Sequence, residues 1–143
     1  MIRKIKFSDL DGVYELCKKH YEVVGMTDRG YDKIDDTISK QTLNNIIDSD
    51  SFITLVDDEL TGIISFATTN SLFNKSKIAS EFLWYSENKK LFIELFMEME
   101  KILLNSVDKI SIGIKEDSYT LLKFLLGKDY FISEVILTKK VGG

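Results

Sequence analysis

The apolar positions change their period along the chain, and each change marks an element. Residues Ile2-Arg3-Lys4-Ile5-Lys6-Phe7 alternate as a short strand does. Leu10, Val13, Tyr14, Leu16, Cys17 and Tyr21 then recur at helical spacing and predict a helix from about Asp9 to Val24. Ser8 offers its N-cap, Asp9 and Asp11 suit the positive end of its dipole, and Gly25 suits its C-terminal cap. Met26 to Tyr31, with Thr27, Asp28 and Gly30, reads as a loop. A weaker helical pattern through Ile34, Ile38, Leu43, Ile46 and Ile47 predicts a second helix over about Asp32 to Asp48.

Beyond it the period shortens to two. Phe52 to Val56 and Leu60 to Thr68 predict a hairpin around Asp57-Asp58-Glu59, acids that suit a turn. A polar connection, Asn70 to Lys75, leads to a third hydrophobic strand, Ile78 to Tyr85, rich in Ile, Phe, Trp and Tyr. Leu91 to Leu104 is the clearest helix, with Leu91, Leu95, Met99 and Ile102 on one face and Phe92, Ile93, Phe96 and Leu103 widening it. A short strand over Ile110 to Ile114, a helix from Asp117 or Ser118 to about Gly127, and a closing strand over Tyr130 to Lys139 complete the chain. The order β-α-α-β-β-β-α-β-α-β predicts one α/β domain over residues 1–143. Its mixed sheet is antiparallel first and partly parallel later, flanked by helices.

Composition removes several function classes. A net charge of −4 gives no general attraction to nucleic acid. One cysteine (Cys17) and one histidine (His20) cannot build a disulfide framework or a usual zinc site, and the lone thiol points to a reducing compartment. The N-terminal residues lack the apolar run of a signal peptide, and no stretch reaches the roughly 18 apolar residues of a membrane span. The expectation is a cytoplasmic protein without a membrane partner. Cys17 falls on the apolar side of the first helix and reads as a small core residue. His20 falls in that helix's last turn, where a cation suits the dipole.

The element order and several local phrases together resemble the GNAT superfamily of N-acetyltransferases over nearly the whole chain. Those phrases are the Ile2-Arg3-Lys4 strand before Ser8-Asp9-Leu10 and the hairpin phrase Asp57-Asp58-Glu59-Leu60-Thr61-Gly62. They continue with Glu81-Phe82-Leu83-Trp84-Tyr85, Leu95-Phe96-Met97-Glu98-Met99-Glu100, Phe124 to Tyr130 and Glu134 to Lys140. The strand phrase and the helix phrase are similar to those of small, often phage-encoded members. A phage member would be cytoplasmic or virion-associated.

The resemblance implies an acetyl-CoA site with three parts, and this sequence departs from the family at each. Family members carry a Q/R-x-x-G-x-G/A turn between fourth strand and third helix, whose backbone N–H groups face the coenzyme A pyrophosphate. Here Glu87-Asn88-Lys89-Lys90-Leu91-Phe92 stands over that turn, with Asn88, Lys90 and Phe92 where glycine is usual. A carboxylate at Glu87 would repel pyrophosphate. Lys89 and Lys90 either offset that repulsion or merely solvate a helix start. The family's tyrosine acid falls on Leu125, leaving Tyr119 as a substitute only if the last helix shifts. Its general base falls on Glu81, which reads equally as a base or as a solvent-facing or lysine-paired residue. Trp84 and Tyr85 either line the cleft, their backbone holding a thioester, or pack in the core.

Two main functions follow from the resemblance, beside a weaker third, a binder of some other small ligand in the same cleft. One is a GNAT-fold protein that has lost acetyl transfer, takes no cofactor and binds another macromolecule, an unknown protein partner. The other is an acetyl-CoA-dependent N-acetyltransferase with a divergent phosphate site and an amine substrate. A homo-oligomer is compatible with either.

Overall fold

Alternation places half of each strand's side chains on either face of the sheet, so helices are needed on both sides to cover them. A computed structural model describes residues 1–29, 31–115 and 117–142. The chain forms two compact units, Met1–Ser111 and Ile112–Gly143.

The first unit holds strands β1 (Ile2–Lys4), β2 (Phe52–Asp57), β3 (Gly62–Asn70), β4 (Lys77–Ser86) and β5 (Lys109–Ser111), in spatial order β1-β2-β3-β4-β5. Every pairing is antiparallel except β4 with β5, which is parallel. Helices α1 (Leu10–Val23) and α2 (Asp36–Ile47) precede β2, and α3 (Lys89–Leu104) links β4 to β5.

Register sorts the strand residues. Val56 pairs with Ile63, and both join Val13, Tyr14, Leu16 and Leu43 of α1 and α2 in one core. Leu55 pairs with Ile64 on the opposite face, over which α3 packs with Leu95, Phe96, Met99 and Leu103 buried. Two of the polar groups buried in the sheet satisfy each other, Thr54 Oγ1 lying 2.7 Å from Ser65 Oγ. Gly62 lets α3 lie close to the sheet, because a Cβ there would stand 2.8 Å from Leu91 Cδ2 and from Leu95 Cδ1.

The ends of elements differ from the sequence expectation where side chains found stronger partners. Ser8 does not cap α1. It lies in a 3₁₀ turn over Phe7–Asp9, held by Asp9, whose carboxylate accepts from the Lys6 amide at 2.8 Å and from the Arg3 guanidinium at 2.8 and 2.9 Å. The guanidinium and the Lys6 N–H hold the Asp9 carboxyl below its ordinary pKa. Gly25 follows α1 in the left-handed region as expected, with φ +64°. The second helix starts at Asp36, later than Asp32, because Asp35 caps it by accepting from Ile38 N at 2.9 Å. Gly30 lies outside the described residues.

In the second unit, α4 (Tyr119–Leu126) ends at Gly127, close to expectation. Leu125, where the resemblance puts the tyrosine acid, is buried. The closing strand expected over Tyr130 to Lys139 is not formed, although its residues favour strands. Strand propensity acts only through a ladder neighbour, and no ladder among the described residues takes these residues up.

Candidate functional site

The candidate site is the C-terminal half of β4 and its junction with α3. In β3–β4, Ser65 pairs with Leu83 but Phe66 pairs with Glu81, so Phe82 is an extra residue, a β-bulge. On β4's other side the parallel ladder runs through Ile78–Lys109, Ala79–Ile110 and Ser80–Ser111 and then stops. β4 continues from Glu81 to Ser86 beyond that ladder. Beyond Ser80 no rung of that ladder joins β4 to β5. The bulge is packed from one side, the Phe82 ring lying 5.5 Å from the Phe52 ring.

Glu81 is half-buried opposite Phe66 and takes part in an interaction of its own. The geometry therefore puts the expected base beside the bulge, where the two strands part.

Trp84 and Tyr85 are both on this strand, but their side chains are committed to packing. The buried Trp84 indole stacks on Phe92 at 4.0 Å with the planes 5° apart, and on Phe96 at 5.0 Å. Its Nε1–H donates to the Phe92 carbonyl at 2.9 Å. Tyr85 packs on the other face in the α1–α2 core, its ring 4.9 Å from that of His20. The Trp84 side chain is thereby taken up in packing, whereas Tyr85 is half-buried.

Asn88, Lys89 and Lys90 form the junction. Only Glu87 and Asn88 separate β4 from α3, so the helix expected from Leu91 already begins at Lys89, and Lys89 and Lys90 of the expected turn are helical. Asn88 is the N-cap, and its Oδ1 accepts from Leu91 N at 2.7 Å. Ser86 Oγ braces it, accepting from Asn88 N at 3.2 Å and donating to Asn88 O at 2.9 Å. A side chain of the protein thus occupies the Leu91 amide at this helix start. Lys89 and Lys90 are exposed, and Lys90 Nζ lies 3.7 Å from Glu94 Oε1.

Glu87 is less repulsive than its charge alone suggests. Its Oε1 accepts from Lys19 Nζ at 2.9 Å, and the carboxylate raises the lysine pKa. The pair ties α1 to the start of α3, and the sequence offers no periodic signal for it. Tyr119 belongs to the second unit, where its side chain is 70% exposed at the first position of α4. Cys17 is partly buried against the α1–α2 core, and burial pushes its thiol pKa up to about 12, which keeps it protonated and inert. Sequence reasoning missed the bulge. Its signal was the run Phe82-Leu83-Trp84-Tyr85, too continuously apolar for simple alternation.

Among the described residues, no group of three or more His, Cys, Asp or Glu side chains could hold a metal ion. No described helix is long and apolar enough to cross a membrane.

No protein-family model matches the sequence, and no curated protein matches it. Solved structures do match. A mutant of the BH1408 protein from Bacillus halodurans superposes with a TM-score of 0.79 at 11% identity, covering 99% of both chains. A GNAT family acetyltransferase from Staphylococcus aureus gives 0.67 at 13%, covering 99% of this chain and 98% of its own. An aminoglycoside acetyltransferase from an uncultured soil sample, in complex with sisomicin, gives 0.70 at 11%, covering 99% and 95%. At such identities the likeness is one of fold, and it extends over nearly the whole length of each chain. The chain has the fold of the GNAT acetyltransferases.

Proposed function

We propose that this chain is a GNAT-fold protein that does not transfer acetyl groups and serves as a binding protein for another macromolecule. The observation that carries the reading is the start of α3. A two-residue connection leads straight into the helix, and Asn88 spends its side-chain oxygen on Leu91 N at 2.7 Å. The family's turn needs backbone N–H groups left open by glycines, and a pyrophosphate here would have to displace an internal cap. The residues present therefore do not fit acetyl-CoA. Lys89 and Lys90 act as a solvated cationic helix start. The likeness of the fourth-strand and third-helix phrases to those of phage members supports a structural or host-directed role, in the cytoplasm or the virion.

One observation favours the other reading, an acetyl-CoA-dependent N-acetyltransferase. The ladder between β4 and β5 ends at Ser80–Ser111, and Glu81 stands beside the bulge at the parting. In that reading Glu81 accepts a proton from an amine substrate, and Tyr119 is the candidate acid.

Titration calorimetry with acetyl-CoA at moderate salt separates the two. No heat at high protein concentration, and no rise in melting temperature with ligand, is the expected result. A micromolar dissociation constant, about −8 kcal/mol, would overturn the binding-protein reading. Loss of acetylation in Glu81→Gln would then identify the base.

A further inference from the structure

The hairpin of β3 and β4 ends in a turn that carries its two largest side chains in water. β2 last pairs with β3 at Phe52–Ala67, whereas β3 and β4 go on pairing for three more rungs, to Asn70–Lys77. At about 3.3 Å per residue the hairpin projects roughly 10 Å past the last β2 rung. At its tip Leu72 is 89% exposed and Phe73 90% exposed. The turn beneath them is built rather than frayed. Ser71 N donates to Ser76 O at 2.8 Å, Phe73 N to Ser71 Oγ at 3.2 Å, and Ser76 N to Asn74 Oδ1 at 2.8 Å. Short polar side chains thus satisfy the backbone of the turn and leave the apolar pair outside it. Charge of one sign gathers at the same place. Residues 69–78 carry Lys75 and Lys77, both exposed, and no carboxylate. Asp108, which accepts from Lys77 N at 2.8 Å, is followed by the exposed Lys109, across the ladder from Ile78.

We propose that this tip inserts Leu72 and Phe73 into the interface of an anionic lipid bilayer, with Lys75, Lys77 and Lys109 against the headgroups. Area argues against a protein as the occupant. Leu72 and Phe73 together cover about 250–350 Å², against roughly 600 Å² per partner at the lower bound of a specific protein interface. A bilayer asks for no matching shape, only for apolar groups that reach below the headgroups and cations that stay among them. That no described helix can cross a membrane does not bear on such a contact, because the tip lies in the interface. Nor does the net charge of −4 decide it. Exposed charges are screened within about 10 Å at ordinary salt, so the lysines at the tip outweigh carboxylates elsewhere. The inference holds whether or not the chain transfers acetyl groups.

Co-sedimentation of the full chain with vesicles tests the proposal, comparing phosphatidylcholine alone with a two-to-one mixture of phosphatidylcholine and phosphatidylserine. Partition onto the mixed vesicles should be roughly tenfold stronger than onto phosphatidylcholine and should weaken as salt is added. The double variant Leu72→Ser, Phe73→Ser should lower it at least tenfold. Lys75→Glu with Lys77→Glu should abolish the preference for the mixed vesicles. All four positions are exposed, so melting midpoints should stay at the native value, which separates lost binding from lost folding. No binding to the mixed vesicles overturns the proposal. So does binding that the Leu72, Phe73 double variant retains, because the contact then lies elsewhere. Equal binding to both kinds of vesicle overturns it too, since the lysines then play no part. If, without vesicles, light scattering shows a dimer that the same double variant dissociates, the tip docks on a second copy and the lipid contact is refuted.

Discussion

Replacing Asn88 with alanine tests whether the first turn of α3 is closed by the protein itself. Asn88 is exposed, so the substitution leaves no cavity, and the change isolates the cap. What is lost is the bond from Leu91 N to Asn88 Oδ1, at 2.7 Å. Loss of an N-cap to alanine costs about 1 kcal/mol, whereas loss to glycine costs only a few tenths. For a chain of this size 1 kcal/mol lowers the melting midpoint by roughly 3–4 °C. Aspartate keeps the acceptor and adds a charge favoured at this helix end beside Lys89 and Lys90, so it should match or exceed the native residue. The expected order of midpoints is therefore Asn88→Asp at or above native, then Asn88→Gly, then Asn88→Ala. Thermal melts by circular dichroism in a low-anion buffer read it directly. Repeating them in phosphate adds the functional half of the test. Phosphate should raise the midpoint of Asn88→Gly more than that of the native protein, because the freed Leu91 amide joins those of Lys89 and Lys90. An alanine variant as stable as native would refute the cap. So would a native protein that gains from phosphate as much as the glycine variant does.

Two further outcomes follow from packing and charge. Asp9 has its carboxyl pKa lowered by Arg3 and the Lys6 amide, so its contribution is present above the unfolded value of about 4 and fades as pH falls through the lower folded value. The melting difference between native and Asp9→Asn should accordingly be full at neutral pH and shrink below about pH 4, and a difference that stays constant down to about pH 2 would refute the linkage. Gly62→Ala drives a Cβ to 2.8 Å from side chains of Leu91 and Leu95, the latter fully buried, and should cost about 1–3 kcal/mol in urea unfolding. Gly127→Ala, whose nearest neighbours are backbone oxygens at 3.4 Å, is the control, and equal losses at both sites would refute the close approach of α3.

How much of this was legible depended on whether a feature is periodic. The hairpin, β4, α1 and α3 repeat an apolar pattern over enough residues that burial fixes both type and extent. Helix ends were read less well, because they are decided by single polar side chains. Asp35 moved the start of α2, and Asp9 turned from first-turn acid to partner of Arg3. The closing strand failed for a different reason. Its residues carry the right propensity, but a strand is a property of a pair, and one sequence does not say who the partner is. At the candidate site, the absence of glycine was plain in Glu87-Asn88-Lys89-Lys90. The Lys19–Glu87 tie and the Trp84–Phe92 lock were not, since they join residues 68 and 8 positions apart with no repeating signature.

The parting of β4 from β5 weighs less on function than its likeness to a cofactor cleft suggests. Each part of it is held by contacts internal to the protein. The extra residue Phe82 packs on Phe52, the next ladder pairs are fixed by Ile64–Trp84 and Ile63–Tyr85, and Trp84 is anchored to α3 by a stack and a hydrogen bond. A scaffold stabilised in this way keeps its opening whether or not a ligand uses it, just as a fold outlives the chemistry it once hosted. The start of α3 is different, because a phosphate cradle is stabilising only when occupied. An unoccupied helix end leaves amides unsatisfied, and any side chain that caps them adds about 1 kcal/mol of stability. Once selection for cofactor binding is relaxed, replacement of an open turn by a capped one is therefore the change that stability alone favours. Under the proposed binding-protein reading, a short connection closed by Asn88 and braced by Ser86 is that state.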